Sequence, residues 1–203
     1  MSEIIPVIHM LNEEQVFTNV DTCIASGIEK IFIINHAVST QDLLSCAFKV
    51  RDKYDIWTGV NMLGTEGRHA IQIDWNLDGI WCDETLKFED VYPSCYEGMV
   101  FSGLAFKYQP QPLDLKKACE EIKPVCNVAT TSGVGTGQAA NIAQIHRIRA
   151  YLGDFPMAIA SGISAENVKY YKDIADYLLV ASSITDSNEL IIADKLKELK
   201  DKL

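Results

Sequence analysis

Short apolar runs alternate with amphipathic segments along the whole chain. We predict a strand in each apolar run, because the runs are short, rich in β-branched or aromatic residues, and bounded by Gly, Asp, Asn or Ser. The predicted strands cover residues 3–9, 29–35, 55–61, 78–83, 99–106, 127–131, 155–160 and 176–181.

The segments between these strands have apolar residues at helical spacing. The first is expected to end before Gly27, which can cap its carboxyl end, and the second follows Ser39, a good N-cap. The unit at 85–98 contains Pro93 and predicts a loop with a short helix. The other predicted helices cover residues 14–26, 40–54, 66–77, 113–125, 138–152, 165–174 and 189–203.

The alternation of strand and helix predicts a parallel sheet. Eight units without a linker favour a closed barrel over a doubly wound sheet. A doubly wound fold usually has a glycine-rich turn after its first strand, whereas the first turn here, HMLNEEQ, contains no glycine. We therefore predict an α/β fold, a single (β/α)8 TIM barrel that forms one domain over residues 1–203.

The net charge of −10 narrows the classes of partner. A chain this acidic is repelled by nucleic-acid backbones and anionic lipid, so we expect neither as a partner. The sequence has no signal-peptide pattern, no membrane span and no CxxC pair among its scattered cysteines, which predicts a cytoplasmic protein with reduced thiols. A small anionic ligand is still compatible with the charge, because backbone N–H groups supply local positive potential.

The turn after the sixth predicted strand, residues 130–138 (TTSGVGTGQ), is rich in glycine and hydroxyl groups and precedes a predicted helix. Glycine permits close backbone approach, and hydroxyl and N–H groups are donors suited to phosphate. The alternative is a flexible surface turn. The candidate phosphate-binding residues here are Ser132, Gly133, Gly135, Thr136 and Gly137, with Thr130 as a possible substrate contact.

Two further loops add donors at the same end of the barrel. After strand seven, Ser161 and Gly162 predict a tight turn, and Ser164 is a candidate N-cap of a helix whose N-terminus would point at the ligand. After strand eight, Ser182 and Ser183 supply more hydroxyls. Loops seven and eight are the recurrent phosphate position in TIM barrels.

Strand five carries the main catalytic candidate, Lys107. Period-two alternation places Gly103, Ala105 and Lys107 on a small face toward the barrel, and Leu104, Phe106 and Tyr108 on a bulky face toward the helices. A lysine at the carboxyl mouth can bind phosphate, act as a base or form a Schiff base. The alternative is an exposed strand-end lysine.

Other polar residues end predicted strands and are expected at the same mouth. His9, Asn61, Asp83 and Glu84 are candidates for acid, base or electrostatic roles, although any one of them can equally be structural. The sequence requires no metal, but Asp83 and Glu84 can hold a Mg²⁺ that bridges to phosphate. Asn35 and Arg68 are possible substrate contacts.

Several stretches resemble the BtpA family, barrels named for a photosystem I biogenesis protein and related to ribulose-phosphate-binding barrels. They are PVIHM, GVNMLGTEGRHAIQI, GLAFKYQPQPL, TTSGVGTGQAANIAQIHRIRAYLGDFPMAIASGISAENV and ADYLLVASSI. The resemblance implies a TIM barrel with a phosphate site at loops six to eight. Glu166 and Asn167 also match positions in the family's recurring motifs. The chain departs from the family pattern after His9, where a proline-rich stretch is missing, and in the eighth loop, which lacks a glycine and a lysine.

Two functions remain open at this point. The first is an isomerase, lyase or transferase acting on a small phosphorylated metabolite, such as a sugar phosphate or a phosphoribosyl compound. The second is a non-enzymatic biogenesis or regulatory factor that keeps the anion site. We also expect a homo-oligomer, since short barrels of this class often pair.

Overall fold

The computed structural model describes residues 2–72, 76–92, 96–133, 135 and 137–203. They form a closed barrel of eight parallel strands that pair in chain order, with β8 returning to β1. The predicted (β/α)8 architecture is thereby confirmed. The strands are β1 Glu3–His9, β2 Lys30–Ile34, β3 Trp57–Asn61, β4 Gly79–Cys82, β5 Met99–Gly103, β6 Val128–Ser132, β7 Met157–Ala160 and β8 Tyr177–Val180.

Helices cover the outside of the barrel. Within the described part of the chain, none is long and apolar enough to cross a membrane. A 3₁₀ turn at Val168–Tyr170 lies between β7 and β8. The α-helices are α1 Glu13–Ala25, α2 Thr40–Lys53, α3 Gly67–Ile71, α4 Phe88–Val91, α5 Leu115–Ile122, α6 Ile142–Leu152 and α7 Ala193–Asp201.

The barrel interior is filled by aromatic side chains around Phe32. Its ring makes edge-to-face contacts with Trp57, Trp81 and Phe101, at centroid distances of 5.3, 5.7 and 5.0 Å. Gly79 makes room for this cluster, since a Cβ there would lie 2.2 Å from the Trp57 ring. The packed interior closes the barrel below its carboxyl mouth, so that a site at the mouth has this interior as its floor and the loops above it as its walls.

The prediction for strand five needs a correction. The strand ends at Gly103, and the chain then turns through two left-handed residues, Ala105 (φ 48°) and Tyr108 (φ 61°). Because of this turn, Phe106 does not face the helix layer as predicted. It enters the barrel interior and contacts Trp81 at 5.8 Å between ring centroids. Lys107 lies in the loop after the strand and not on a strand face.

Three helix predictions are also wrong, two of them at their amino ends and one over its whole length. The helix predicted from 138 begins at Ile142, because the Asn141 side chain accepts hydrogen bonds from the Ala143 and Gln144 amides and caps it there. The segment 165–174 contains only the 3₁₀ turn, and the segment predicted from 189 becomes helical at Ala193. The short helix expected in 85–98 is present as α4. Part of the segment predicted as helix 66–77 lies outside the described residues.

Candidate functional site

A cavity of about 590 Å³ opens at the carboxyl mouth of the barrel. This volume lies within the usual range for small-molecule sites. Apolar side chains form its inner wall, and polar residues come from loops all around the barrel. The titratable and hydroxyl-bearing residues of its lining include His9, His36, Asp83, Lys107, Ser161 and Ser182.

Lys107 reaches this cavity from the loop after β5. Its Nζ donates to Ser161 Oγ over 2.7 Å, and its backbone N–H donates to Ser132 Oγ over 2.8 Å. Burial lowers the pKa of the Lys107 ammonium, and the nearby Asp83 carboxylate opposes that shift. The lysine is therefore fixed at both its backbone and its amine, in a setting that favours the neutral form more than water does.

Asp83 stands at the end of β4, within reach of the electrostatic field of Lys107. Its Oδ1 accepts a hydrogen bond of 2.9 Å from Asn61 Nδ2. Burial raises the pKa of the Asp83 carboxyl, while the Asn61 hydrogen bond and the Lys107 charge act against the rise. Asn61 is itself buried and does not line the large cavity. Its hydrogen bond to Asp83 orients that carboxylate.

Three other predicted residues do not line the large cavity: Glu84, Arg68 and Asn35. Glu84 Oε2 accepts from the Gly67 amide at 3.1 Å and lines a separate cavity of about 110 Å³, which Asp83 and Asn61 also line. Arg68 is paired with Glu66 on the surface, with 2.6 Å between Nε and Oε2.

Asn35 follows β2, and its side chain holds the loop after β3. Its Oδ1 accepts from the Leu63 amide over 2.7 Å, and its Nδ2 donates to the Leu63 carbonyl over 3.3 Å. Its side chain is thus committed to holding this loop.

The two acidic residues predicted for Mg²⁺ have different partners. Asp83 is bound by Asn61, and Glu84 by the Gly67 amide. The described residues contain no group of three or more His, Cys, Asp or Glu arranged to hold a metal ion. The Mg²⁺ site stays a prediction.

The glycine-rich loop after β6 is packed more tightly than a flexible turn. A Cβ on Gly133 would lie 2.0 Å from the Gln138 carbonyl oxygen, and Ser132 Oγ is engaged with Lys107. Gly135 is also buried. Of the described residues predicted to bind phosphate in this loop, Gly137 is the one that lines the cavity.

Two further predictions in this region concern threonines. Thr136 lies outside the described residues. Thr130 is fully buried inside the barrel wall, and its hydroxyl has no hydrogen-bond partner in the described structure. Thr130 does not line the cavity.

The loop after β7 contributes three polar residues to the cavity wall, Ser161, Ser164 and Asn167. Ser161 (φ 71°) and Gly162 (φ 66°) are consecutive left-handed residues, a conformation that costs a non-glycine residue about 1–2 kcal/mol. Gly162 is needed for a second reason, since a Cβ there would lie 2.3 Å from the Ala139 amide nitrogen. The strained turn therefore seats the β7 loop on the β6 loop and presents Ser161 to Lys107.

No α-helix N-terminus follows this turn in the described chain. The Ser164 amide donates to Asn167 Oδ1 over 2.8 Å, and Asn167 Nδ2 donates to the Gly162 carbonyl over 2.7 Å. Asn167 thus closes the turn on itself, and the segment that follows contains only the 3₁₀ turn Val168–Tyr170. The predicted helix-dipole contribution is wrong, and Ser164 and Asn167 line the cavity through their turn instead. Glu166 is directed to the Ser164 hydroxyl.

The loop after β8 places both predicted serines on the cavity. Ser182 is exposed, and Ser183 is partly buried. The Ser183 hydroxyl is buried and has no partner among the residues described.

The opposite wall contains a histidine pair, of which only His9 was predicted from the sequence. His9 and His36 pack with 4.5 Å between ring centroids, and His9 Nδ1 lies 3.3 Å from Glu189 Oε2. Burial lowers the pKa of His36, assisted by His9 and Lys107 and opposed by Glu189. Glu189 comes from the loop before α7, a tertiary neighbour that the linear pattern assigned to a helix.

No protein-family model matches the chain, and no curated protein matches it. Solved structures do match, at low sequence identity. A structure described as native KDPGal superposes with a TM-score of 0.73 at 12% identity, over 98% of this chain and 93% of that one. The phosphoribosyl anthranilate isomerase of Thermus thermophilus gives 0.69 at 14% identity, over 98% and 97%.

A further match is a truncated 3-deoxy-D-arabino-heptulosonate 7-phosphate synthase of Thermotoga maritima. It gives a TM-score of 0.69 at 14% identity, over 99% of this chain and 84% of that one. Identities this low show the shared barrel fold, and function has to be argued from the site.

Proposed function

We propose that the protein is an enzyme that binds a small phosphorylated metabolite, a sugar phosphate or phosphoribosyl compound, and acts on it as an isomerase, lyase or transferase. The observation that carries the proposal is the junction of Lys107 Nζ and Ser161 Oγ, 2.7 Å apart, inside the mouth cavity. It joins a cation to the hydroxyl-bearing loops that TIM barrels use for phosphate.

The phosphate is assigned to the wall formed by the loops after β7 and β8. Ser161, Ser182 and Ser183 offer hydroxyl donors there, and Lys107 offers positive charge. A cation at this wall is needed to attract an anion, because the chain as a whole carries a net charge of −10. Compared with the sequence-based assignment, the phosphate position shifts from the β6 loop toward the β7 and β8 loops.

The chemistry is assigned to Lys107 and Asp83. Burial moves the pKa of each toward the neutral form, downward for the amine and upward for the carboxyl. A neutral amine is a base or a nucleophile toward a carbonyl, and a protonated carboxyl is an acid. Two groups perturbed in opposite senses within one cavity are typical of a catalytic site.

The inner wall sets the size of the rest of the ligand. Ile34, Leu63 and Trp81 line it, and the volume of about 590 Å³ exceeds what a phosphate alone would fill. This supports a metabolite with a carbon skeleton of sugar size or larger.

Thermal unfolding with a panel of pentose and hexose phosphates, each paired with its unphosphorylated sugar, tests the proposal. A ligand at about 100 times its Kd adds about 2.7 kcal/mol of stability, a shift of several degrees in a chain of this size. We expect shifts from phosphorylated compounds only, lost in Ser161→Asp and kept in Ser187→Asp, an exposed control. Equal shifts in both variants would show that the phosphate does not bind at this wall.

The alternative function is a non-enzymatic factor that retained the anion site. The resemblance to the BtpA family supports it, and membership of that family is part of the same proposal. The acidic neighbour of Lys107 and the open cavity favour catalysis, because a pure sensor does not require groups of perturbed pKa. Binding without turnover of any bound compound would favour the factor.

A further inference from the structure

The Glu189 carboxylate lies against His9 at the mouth of the barrel. Glu189 Oε2 is 3.3 Å from His9 Nδ1, and both side chains are mostly buried, with 33% and 15% of their surface exposed. His9 lines the large cavity and belongs to the wall opposite Lys107. A carboxylate on one ring nitrogen of a histidine determines which nitrogen carries the proton.

Helix α1 fixes the backbones of these two residues relative to each other. The Gln15 side-chain amide donates to both the His9 carbonyl, over 3.2 Å, and the Glu189 carbonyl, over 2.8 Å. Asn19, one turn further along the helix, also donates to the Glu189 carbonyl over 2.8 Å, and its Oδ1 accepts from the Ile191 amide over 2.7 Å. Gln15 and Asn19 are buried, so this clamp is shielded from water.

The backbone of Glu189 is itself held in an unfavourable conformation. Its φ is 56°, in the left-handed region that glycine adopts more readily than glutamate. The turn around it is closed by Asp186, whose carboxylate accepts from the Asn188 and Leu190 amides over 2.8 and 2.9 Å. Strain that surrounding contacts enforce in this way is typical of functional positions.

We propose that Glu189 is a positioning residue that holds the proton of neutral His9 on Nδ1 and leaves Nε2 as a proton acceptor for the ligand in the cavity. This inference rests on the proposed function, because it makes His9 the second proton-transferring group of that site, opposite Lys107 and Asp83. His36 packs on the His9 ring, and burial lowers the pKa of His36, which favours the neutral form of the imidazole beside His9.

The proton position can be measured without knowing the substrate. Long-range ¹H–¹⁵N spectra of histidine-labelled protein distinguish the two neutral tautomers, and single His→Gln variants assign the four histidines. At about pH 9, where imidazoles are neutral, we expect the wild-type His9 signal to show the Nδ1–H form. Glu189→Gly and Glu189→Asn, which suit the left-handed backbone and lack the carboxylate, should both shift the signal to the Nε2–H form.

Thermal unfolding of the same variants separates positioning from a structural role. Glu189→Gly relieves the left-handed strain, so its midpoint should equal or exceed that of the wild type, as should that of the control Asn76→Gly at another left-handed residue. An unchanged His9 tautomer in both Glu189 variants overturns the inference. So does a loss of folding in Glu189→Gly when Asn76→Gly folds.

The two proposals fail in different ways. If no phosphorylated compound stabilises the protein but the tautomer moves as expected, the proposed function fails and the positioning of His9 stands. If phosphorylated compounds bind and the tautomer does not move, the positioning inference alone is wrong.

Discussion

Lys107 and Ser161 are joined across the mouth of the barrel by a hydrogen bond of 2.7 Å from Nζ to Oγ. The bond ties the loop after β5 to the loop after β7, and both loops contain left-handed residues other than glycine. An amine held in this way is oriented before a ligand arrives, which lowers the entropic cost of binding an anion.

Replacing Lys107 with Met should abolish binding of phosphorylated ligands without destabilising the protein. Burial disfavours the charge of this lysine, so its removal costs the fold little, whereas the anion loses its cation. Calorimetric titration and thermal unfolding measure the two effects. Lys116→Met, at an exposed lysine of α5, is the control and should bind as the wild type does. Equal binding by both variants would show that Lys107 does not take part in the anion site.

Replacing Asp83 with Asn should lower the pKa of Lys107 further. The Asp83 carboxylate raises the pKa of that ammonium against the effect of burial, so its removal leaves the lowering effect unopposed. Competitive acylation across a pH series, read by peptide mass spectrometry, gives the titration midpoint of Lys107. We expect the midpoint to move to lower pH in Asp83→Asn while Lys116 titrates as before. A midpoint that stays or rises would show that Asp83 does not act on the amine.

Two glycines in the cavity wall should respond very differently to alanine. Gly162→Ala meets both a left-handed φ and a contact of 2.3 Å with backbone, and should cost about 2–5 kcal/mol of unfolding free energy. Gly137→Ala has the same sign of φ but open space around its Cβ, and should cost about 1–2 kcal/mol. Urea unfolding measures both. Equal losses would contradict the close seating of the β7 loop on the β6 loop.

Replacing Asn19 with Ala should destabilise the protein by about 2–4 kcal/mol, because the buried Ile191 amide loses its acceptor and the Glu189 carbonyl loses one donor. Thr18→Ala, on the exposed side of the same helix, should change stability by less than about 0.5 kcal/mol. Urea midpoints of the two variants test this. A loss of stability in Asn19→Ala as small as that in Thr18→Ala would mean that Asn19 does not hold the loop before α7.

The strands and the barrel were predictable because apolar runs and their spacing are local signals. Predicted strand 3–9 coincides with β1, and the closing pair of β1 with β8 follows from eight units in sequence. Misplaced boundaries occur where a side chain competes with the helix for backbone amides. Asn141 does so, and the helix that apolar spacing places from residue 138 begins only at Ile142.

The location of the candidate site could be predicted from the sequence, but only some of its residues could. Lys107, Ser161 and Ser182 line the cavity as expected from their positions after strands. Glu84 follows a strand as well, yet its carboxylate turns to an amide of α3, which no spacing rule reveals. Glu189 was missed because it meets His9 only through tertiary contacts made by α1.

A crystal structure of the protein with a bound sugar phosphate would locate the phosphate. We expect phosphate density against Ser161 and the Ser182–Ser183 loop, within hydrogen-bond distance of Lys107 Nζ, with the sugar directed toward Trp81 and Asp83. Phosphate density elsewhere on the protein, or an empty mouth cavity at saturating ligand, would contradict this expectation.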